Sequence, residues 1–581
     1  MQIKPRTFDE NIVSTLIAEG VNPLLAKLFA ARGVANKHAL ETSLGQIIPP
    51  TLLTNNTVMA KLLADAIAQN KHLLVIGDYD ADGATATAVA VKGLRAFGAR
   101  VDFLVPNRFE YGYGLTPEIV ALAAQQKPDV IITVDNGIAS VEGVAAANAL
   151  GMQVLITDHH LPGQITPQAA CIINPNQHGC DFPSKHLAGV GVMFYGLLAL
   201  RAELRARGAF TLTPEPNLTE LLDLVALGTV ADLVKLDDNN RILVEQGLRR
   251  IRAGACSLGI SALLRVSGRQ PQQVNAQDLG FYVGPRLNAA GRLDDMRLGI
   301  QCLLAETEVE AATIAQQLHT LNLQRRSIEA DMQEGAQLSL DDIAVESQFS
   351  ISIYQDDWHQ GVIGILASRI KERHHRPVIA FANAGDGLLK GSGRSIAGLH
   401  LRDALDLLAK HQPDLILKFG GHAMAAGLTI KLVDFERFNH SFEAVVKSLI
   451  TEADLASVLE VDGSLAADDM TFETAQALEN QVWGQGFAPP LFFDCFEVVS
   501  QRVLSEKHLK LTLKKENALI EAIYFNCAET FEAPIFAAYQ LQTNSYNGAQ
   551  KVQLNLKYAT CKNRFLQANF TLTFFDALEA L

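Results

Sequence analysis

Asp78, Asp80 and Asp82 close the stretch LLVIGDYDADGA (73–84), Asp135 closes VIITVDNG (130–137), and Asp158, His159 and His160 close VLITDHHLP (154–162). Each stretch is a short, β-branched apolar run that ends abruptly in acids, or in an acid and imidazoles. This is the signature of a buried parallel strand that delivers side chains at its C-terminal end. In open α/β sheets ligands bind at that edge. The three strand ends would therefore bring all seven residues to one crevice. Carboxylates gathered this closely raise one another's pKa unless a cation neutralises them. Oxygen donors with one or two imidazoles suit Mn²⁺ or Mg²⁺ better than Zn²⁺. Taken singly, Asp82-Gly83 reads equally well as a turn, and Asp135-Asn136-Gly137 as a plain loop. Three strand ends of one kind outweigh those readings.

Other segments carry candidate side chains. The apolar stretch 221–236 is broken by Gly228 and places Asp232 between Ala231 and Leu233. An acid there is either a helix cap or a further donor to the cluster, and the stretch alone supports both. GPRLNAAGRLDD (284–295) sets Arg286 and Arg292 among small residues, as a surface loop or as a pair of guanidinium groups beside an anion. GSGRS (391–395) and GGHAMAAG (420–427) read as glycine-rich loops whose backbone N–H groups, with Arg394 and His422, are competent to hold a phosphate. The basic run 369–376 reads as a solvated helix face or as a phosphate track.

The elements that must position these residues follow from periodicity. Residues 1–50 are helical in pattern and end at Pro49-Pro50, an N-terminal cap. Residues 51–305 alternate strand and helix, which predicts a mainly parallel sheet. Residues 306–345 are rich in strong helix formers and predict a long connecting helix. Residues 346–452 form a second α/β unit, with strands near 349–354 and 377–382 and a helix near 361–374. From 453 to 581 the pattern changes to a period of two, with Leu509, Leu511 and Leu513 set against Lys510, Thr512 and Lys514. A small oligonucleotide-binding barrel fits that pattern, and so does a plain β-sandwich.

The chain has 581 residues, too many for one ordinary core. Its 48% hydrophobic and 19% charged content describe an ordered globular protein. A net charge of −14 excludes a uniformly basic nucleic-acid coat but leaves room for a local basic groove. The seven cysteines include no CxxC pair, which argues against a disulfide framework or a zinc ribbon and favours a reducing cytoplasm. No apolar leader opens the sequence, and the run 187–200 is too short to span a bilayer, so a buried helix and no membrane association are expected.

In order along the chain, DYDADG, VDNG, DHH, GTVADLV, GPRLNAAGR, SGRS and GGHAMAAG resemble the successive motifs of the DHH phosphoesterase superfamily. The order, the length and the added C-terminal domain are similar to its single-strand-specific exonucleases. The resemblance covers the chain from about residue 50 to its end. It implies a DHH catalytic domain and a DHH-associated domain joined by a helix, followed by an OB-fold. It implies a 5′→3′ exonuclease that removes mononucleotides from single-stranded DNA in recombination and repair. By motif position the metal ligands fall on Asp80, Asp82, Asp135, His159 and Asp232, with Asp78 as a further member. His160 would contact the scissile phosphate. Arg108, Arg286, Ser392, Arg394 and His422 match positions that hold DNA phosphates, including the 5′ end. Two Mn²⁺ or Mg²⁺ ions bridged by a carboxylate would support in-line attack. The resemblance also implies single-strand-binding protein and other repair proteins as partners, and a monomer.

Two departures stand out. Many DHH phosphatases carry a histidine where this chain has Ile76, so Asp78 is expected to take over part of its role. The family's segment before the barrel appears here as Trp483-Gly484-Gln485-Gly486-Phe487-Ala488. A cleft between the two α/β domains is expected to select single strands, with the barrel holding the strand beyond. The alternatives are a DHH enzyme for short oligonucleotides, cyclic dinucleotides or pyrophosphate, and a silent DNA-binding scaffold that would have lost ligands this chain retains.

Overall fold

The computed structural model describes residues 2–107, 111, 114–341, 345–546 and 549–561. Its contacts divide the chain into two compact units, one of residues 4–319 with 460–581 and the other of residues 320–459 with the first three.

After a short strand β1 (Gln2–Pro5), the larger unit opens with the helices Glu10–Ala18 and Pro23–Ala30. Its sheet contains β2 (His72–Gly77), β3 (Arg100–Leu104), β4 (Val130–Val134), β5 (Gln153–Thr157) and β6 (Cys171–Ile173), in the order β3-β2-β4-β5-β6. All neighbours are parallel. Every residue of β2 and β4 is buried, as expected when helices cover both faces. Leu74, Ile76, Ile131 and Ile156 face one core with Ile119 and Val144. On the other face the alanine-rich helix Ala81–Ala96 is buried nearly all round, and its small side chains admit the helices Gly189–Ala206 and Leu222–Ala231 at short range.

The register fixes the active edge. Gly77 pairs with Val134, Val134 with Thr157, and Thr157 with Ile173. Asp78, Asp135, Asp158 and Asn174 therefore leave the sheet side by side.

In the smaller unit β7 (Ile351–Tyr354), β8 (Val378–Gly385), β9 (Leu388–Arg394), β10 (Lys418–Gly421) and β11 (Ala425–Lys431) form a mixed sheet in the order β10-β11-β9-β8-β7. Only β7 and β8 are parallel. Helices Leu401–His411 and Phe435–Leu449 pack on it through Leu401, Leu405, Phe438 and Phe442. The helix Glu308–Asp341 has 34 residues, roughly 50 Å at 1.5 Å per residue, and runs through the boundary at 319/320.

Three glycine-rich segments differ from the loops expected. Residues 284–293 are helical, Gly391–Arg394 lie within β9, and 418–431 form the β10–β11 hairpin. Glycine serves packing here rather than turns: a Cβ on Gly391 would lie 2.6 Å from the Phe381 ring, and one on Gly393 2.7 Å from Leu401. The amides of 391–394 are engaged in the ladder with β8 and β11, not presented to a ligand.

After β12 (Val458–Val461) the chain closes a five-stranded barrel from β13 (Phe492–Leu504), β14 (His508–Lys515), β15 (Ala518–Tyr524), β16 (Ile535–Tyr546) and β17 (Ala549–Cys561). Leu509, Leu511 and Leu513 point inward, as the period of two predicts. The segment 483–488 packs against the N-terminal helices: Trp483 stacks on Phe487 at 5.3 Å, and Arg32 lies over Trp483 while its guanidinium pairs at 2.9 Å with both oxygens of Asp462. No helix of the described residues is long and apolar enough to cross a membrane.

Candidate metal centre and phosphate-binding residues

Asp80 caps the helix Ala81–Ala96, its Oδ1 accepting the N–H groups of Asp82 and Gly83 at 3.0 Å. The cap turns Asp82 inward, to the start of the helix Gly189–Ala206. There its carboxylate accepts the N–H of Gly189 at 2.6 Å and that of Val190 at 2.9 Å. Asp135 has a left-handed backbone (φ 62°), an uncommon conformation for a residue other than glycine and one concentrated at functional sites. A Cβ on Gly189 would lie 2.5 Å from Asp135 Cβ, so only glycine admits this approach. Asp232 sits at the C-terminal end of Leu222–Ala231 rather than at a helix start. It is the C-cap residue of that helix and also lies 3.6 Å from His159 Nε2, so the two readings left open are compatible.

His159 joins these groups. Its Nε2 is 3.1 Å from Asp135 Oδ1, 3.6 Å from Asp232 Oδ2 and 4.0 Å from Asp82 Oδ2. Three overlapping sets have ligand atoms within 4.8 Å of one another: Asp135, His159 and His160; Asp82, His159 and Asp232; Asp78, Asp80 and Asp135. Because Asp135 and His159 are shared, the arrangement fits more than one cation. Carboxylate oxygens with imidazole suit Mn²⁺ or Mg²⁺.

Electrostatics give the same result. Burial, followed by the charge of Asp80, raises Asp82 to about 7. Burial and the neighbouring carboxylates push Asp135 and Asp232 well above the usual range. Without a cation the cluster retains protons, and a divalent ion can replace them.

Asp158 has another task. Its Oδ1 accepts the N–H groups of His159 (2.7 Å) and His160 (3.0 Å) and pairs with His160 Nδ1 at 2.8 Å, while Oδ2 accepts the N–H of Ile138 at 2.9 Å. Burial opposes the charge on both partners, yet the bond prevails: Asp158 is lowered, and His160 is raised to about 9. His160 is therefore an imidazolium at neutral pH.

Several supporting residues escape a motif reading. Asn174 donates to the carbonyl of His160 at 2.9 Å and Asn176 to that of His159 at 2.6 Å. The stretch CIIN (171–174) repeats the apolar run ending in a polar residue, so a signal was present. Asn136 donates to the carbonyls of Ile76 and Val134. Asn288 accepts the N–H of Ala81 at 2.8 Å, which ties the helix Gly284–Leu293 to the acidic loop. These last two lie within VDNG and GPRLNAAGR, whose order marks the segments but not the roles of the two amides.

The phosphate-binding candidates fall in separate places. Arg286 is buried in the helix Gly284–Leu293 and donates to the carbonyl of Tyr282 and to Nδ1 of His319. In the smaller unit Arg394 donates to Ser392 Oγ at 3.2 Å and to the carbonyl of Gly393. A Cβ on Gly364 would lie 2.9 Å from both Ser392 Oγ and the Arg394 guanidinium, so the two flank the N-terminus of the helix Ile363–His374. Helix starts attract anions. Arg394 faces Ala425 across the sheet, and His422 N–H donates to the Ala425 carbonyl, which brings His422 to the same end. Arg108 lies outside the described residues.

Comparison with known proteins covers all three regions. Residues 72–229 match the DHH family, N-terminal domain; residues 346–448 match the DHHA1 domain; residues 461–558 match the RecJ OB domain. The chain is 50% identical over 560 residues to the single-stranded-DNA-specific exonuclease RecJ of Dickeya dadantii, covering 94% of this chain and 97% of that one. It is 48% identical to RecJ of Escherichia coli, covering 95% and 98%. The crystal structure of RecJ in complex with Mn²⁺ from Thermus thermophilus superposes with a TM-score of 0.80 at 29% identity, over 96% of this chain and 79% of that one.

Proposed function

The chain belongs to the RecJ family of single-stranded-DNA-specific exonucleases, and from that membership we propose a metal-dependent 5′→3′ exodeoxyribonuclease that releases mononucleotides. Hydrolysis of phosphodiester bonds in single-stranded DNA is the activity, with Mn²⁺ or Mg²⁺ as cofactor. The observation that carries it is the overlap of three donor sets at adjacent strand ends, with Asp135 and His159 shared.

Asp78, Asp80, Asp82, Asp135, His159 and Asp232 would hold the cations. When bound, these would lower the pKa of a water and neutralise charge on the phosphate under in-line attack. The protein groups do the rest. Asp158 keeps His160 protonated, so that Nε2 donates to an oxygen of the scissile phosphate and stabilises charge as it develops. Arg286 adds positive potential beside the strand. Ser392, Arg394 and His422, at the start of the helix Ile363–His374, bind the 5′-terminal phosphate and set the polarity. Arg108 is assigned to the same role by its motif. The barrel, with lysines along β14, holds the strand beyond the site. Single-strand-binding protein and other repair proteins are the partners this reading implies.

The decisive experiment digests a long single strand labelled separately at each end, in Mn²⁺ and in chelator, with wild type and Asp135→Ala. Metal-dependent release of the 5′ label as mononucleotide, lost in the variant and absent on blunt duplex, is the expected result. Release of the 3′ label first, or cleavage of short or cyclic substrates only, would overturn it.

A further inference from the structure

Beside the metal cluster the chain exposes apolar surface that its own core does not use. Leu233 follows Asp232 directly, is 66% exposed and has a φ of 61°. A left-handed backbone costs leucine more than glycine or asparagine, so a leucine held there in solvent calls for a use of its side chain. Phe281 is 73% exposed, more than any other phenylalanine among the described residues.

Backbone packing brings the segments that carry these two residues together. Residues Leu279–Val283 form a single π-turn that leads into the helix Gly284–Leu293. Such turns insert an extra residue and recur at functional sites. Here Leu279 and Val283 are fully buried and Phe281, between them, is turned out. The turn rests on the end of the helix that carries Asp232: a Cβ on Gly280 would lie 3.2 Å from Val230 Cγ1, and one on Gly284 3.2 Å from Ala231 Cβ. The far end of Gly284–Leu293 is pinned to the acidic loop, where Asn288 takes the Ala81 N–H and a Cβ on Gly291 would lie 1.9 Å from the Tyr79 carbonyl oxygen. Phe281 is thus fixed, at both ends of its segment, to the frame that holds the metal ligands.

We propose that Phe281, with Leu233 as its side wall, is a stacking platform for one nucleobase of the strand being degraded. The proposal rests on the exonuclease reading above. An anionic group gains nothing from such a surface, whereas every base has an aromatic face, and an exonuclease must accept every base. A paired base in a duplex already has both faces covered by its neighbours. The platform therefore rewards an unstacked base and contributes to single-strand preference without reading sequence.

The test is a cycle that combines Phe281→Ala with single abasic residues placed at successive positions from the 5′ end of a labelled oligonucleotide, read as kcat/KM in Mn²⁺. Loss of one stacked base costs roughly 5- to 150-fold. The expected result is that wild type suffers this loss at one position, that Phe281→Ala suffers a similar loss on the intact strand through KM, and that the two losses do not multiply there. Phe281→Trp, which keeps an aromatic face, should retain the position-specific abasic loss that Phe281→Ala abolishes. Phe281→Leu, which keeps bulk without a ring, carries the cycle if the alanine variant is unstable, and an unchanged Mn²⁺-induced shift in melting temperature shows that the cluster is intact. Losses that multiply at every position would overturn the platform and leave the exonuclease standing. A wild type that degrades no single strand would overturn the functional reading itself.

Discussion

Asp158 Oδ1 lies 2.8 Å from Nδ1 of His160, and the same oxygen accepts the backbone N–H groups of both His159 and His160. One buried carboxylate thus orients the imidazole, fixes its charge and shapes the loop that carries a metal ligand. His160 is raised to about 9 because this bond and the Asp158 charge outweigh the burial that opposes them.

Asp158→Asn removes that charge while keeping the shape. The His160 pKa should fall towards its ordinary value of 6.5, and the alkaline limb of the kcat profile should move down with it. At about pH 8 a charge-assisted hydrogen bond to the phosphate is lost, worth roughly 10- to 100-fold in kcat. A pH–rate profile checks this; an unshifted alkaline limb would remove His160 from the mechanism.

The metal-free protein should become less stable as pH rises. Asp82, raised to about 7, and Asp135 and Asp232, raised further, bind protons more tightly folded than unfolded. Such groups stabilise fully below their unfolded pKa, and that stability is lost as pH rises through the folded value. In chelator, melting temperature should fall between about pH 5 and 8; Mn²⁺ should abolish the fall, and Asp82→Asn should flatten it. Thermal melts across that range with and without chelator decide it.

Gly189→Ala inserts a methyl group 2.5 Å from Asp135 Cβ and 2.6 Å from its Oδ1. Asp135 must move, because the helix start bearing Gly189 is held by Asp82. Overpacking costs typically 1–3 kcal/mol, and displacement of a shared ligand should weaken Mn²⁺ binding at least tenfold. Isothermal titration with Mn²⁺ beside a denaturation curve separates the two effects.

Asp462→Ala leaves the Arg32 guanidinium, 1% exposed, without its bidentate partner. Removing one member of a buried pair costs about 3–5 kcal/mol. Urea unfolding should show that loss. Replacing both partners with apolar residues should recover part of it, because the Arg32 charge is then no longer buried, although Arg6 still loses its 3.8 Å contact with Asp462.

The chemistry was legible in the sequence because strands in a doubly covered sheet must be apolar throughout, so polar residues appear only where the strand ends. LLVIG, VIITV and VLIT announced both the strands and the edge at which Asp78, Asp135 and Asp158 emerge. The period of two around Leu509, Leu511 and Leu513 likewise announced β14, and a run of strong helix formers interrupted only by Gly335 announced Glu308–Asp341. Glycine misled the local reading: in 284–295 and 391–395 it marks close packing in a helix and a strand, and in 420–427 it lies in a hairpin, which composition cannot distinguish from a loop.

The sequence by itself determined which residues are acidic, basic or aromatic, and which short runs are buried strands, because these depend on side-chain type and local period. Only the tertiary structure decided that Asp232 stands 3.6 Å from His159, that Asp82 is held by the first amides of Gly189–Ala206, and that Gly280 of the π-turn meets Val230. Each of these pairs residues 50 to 107 positions apart. Such distances are set by strand register and helix packing, and no local pattern encodes them.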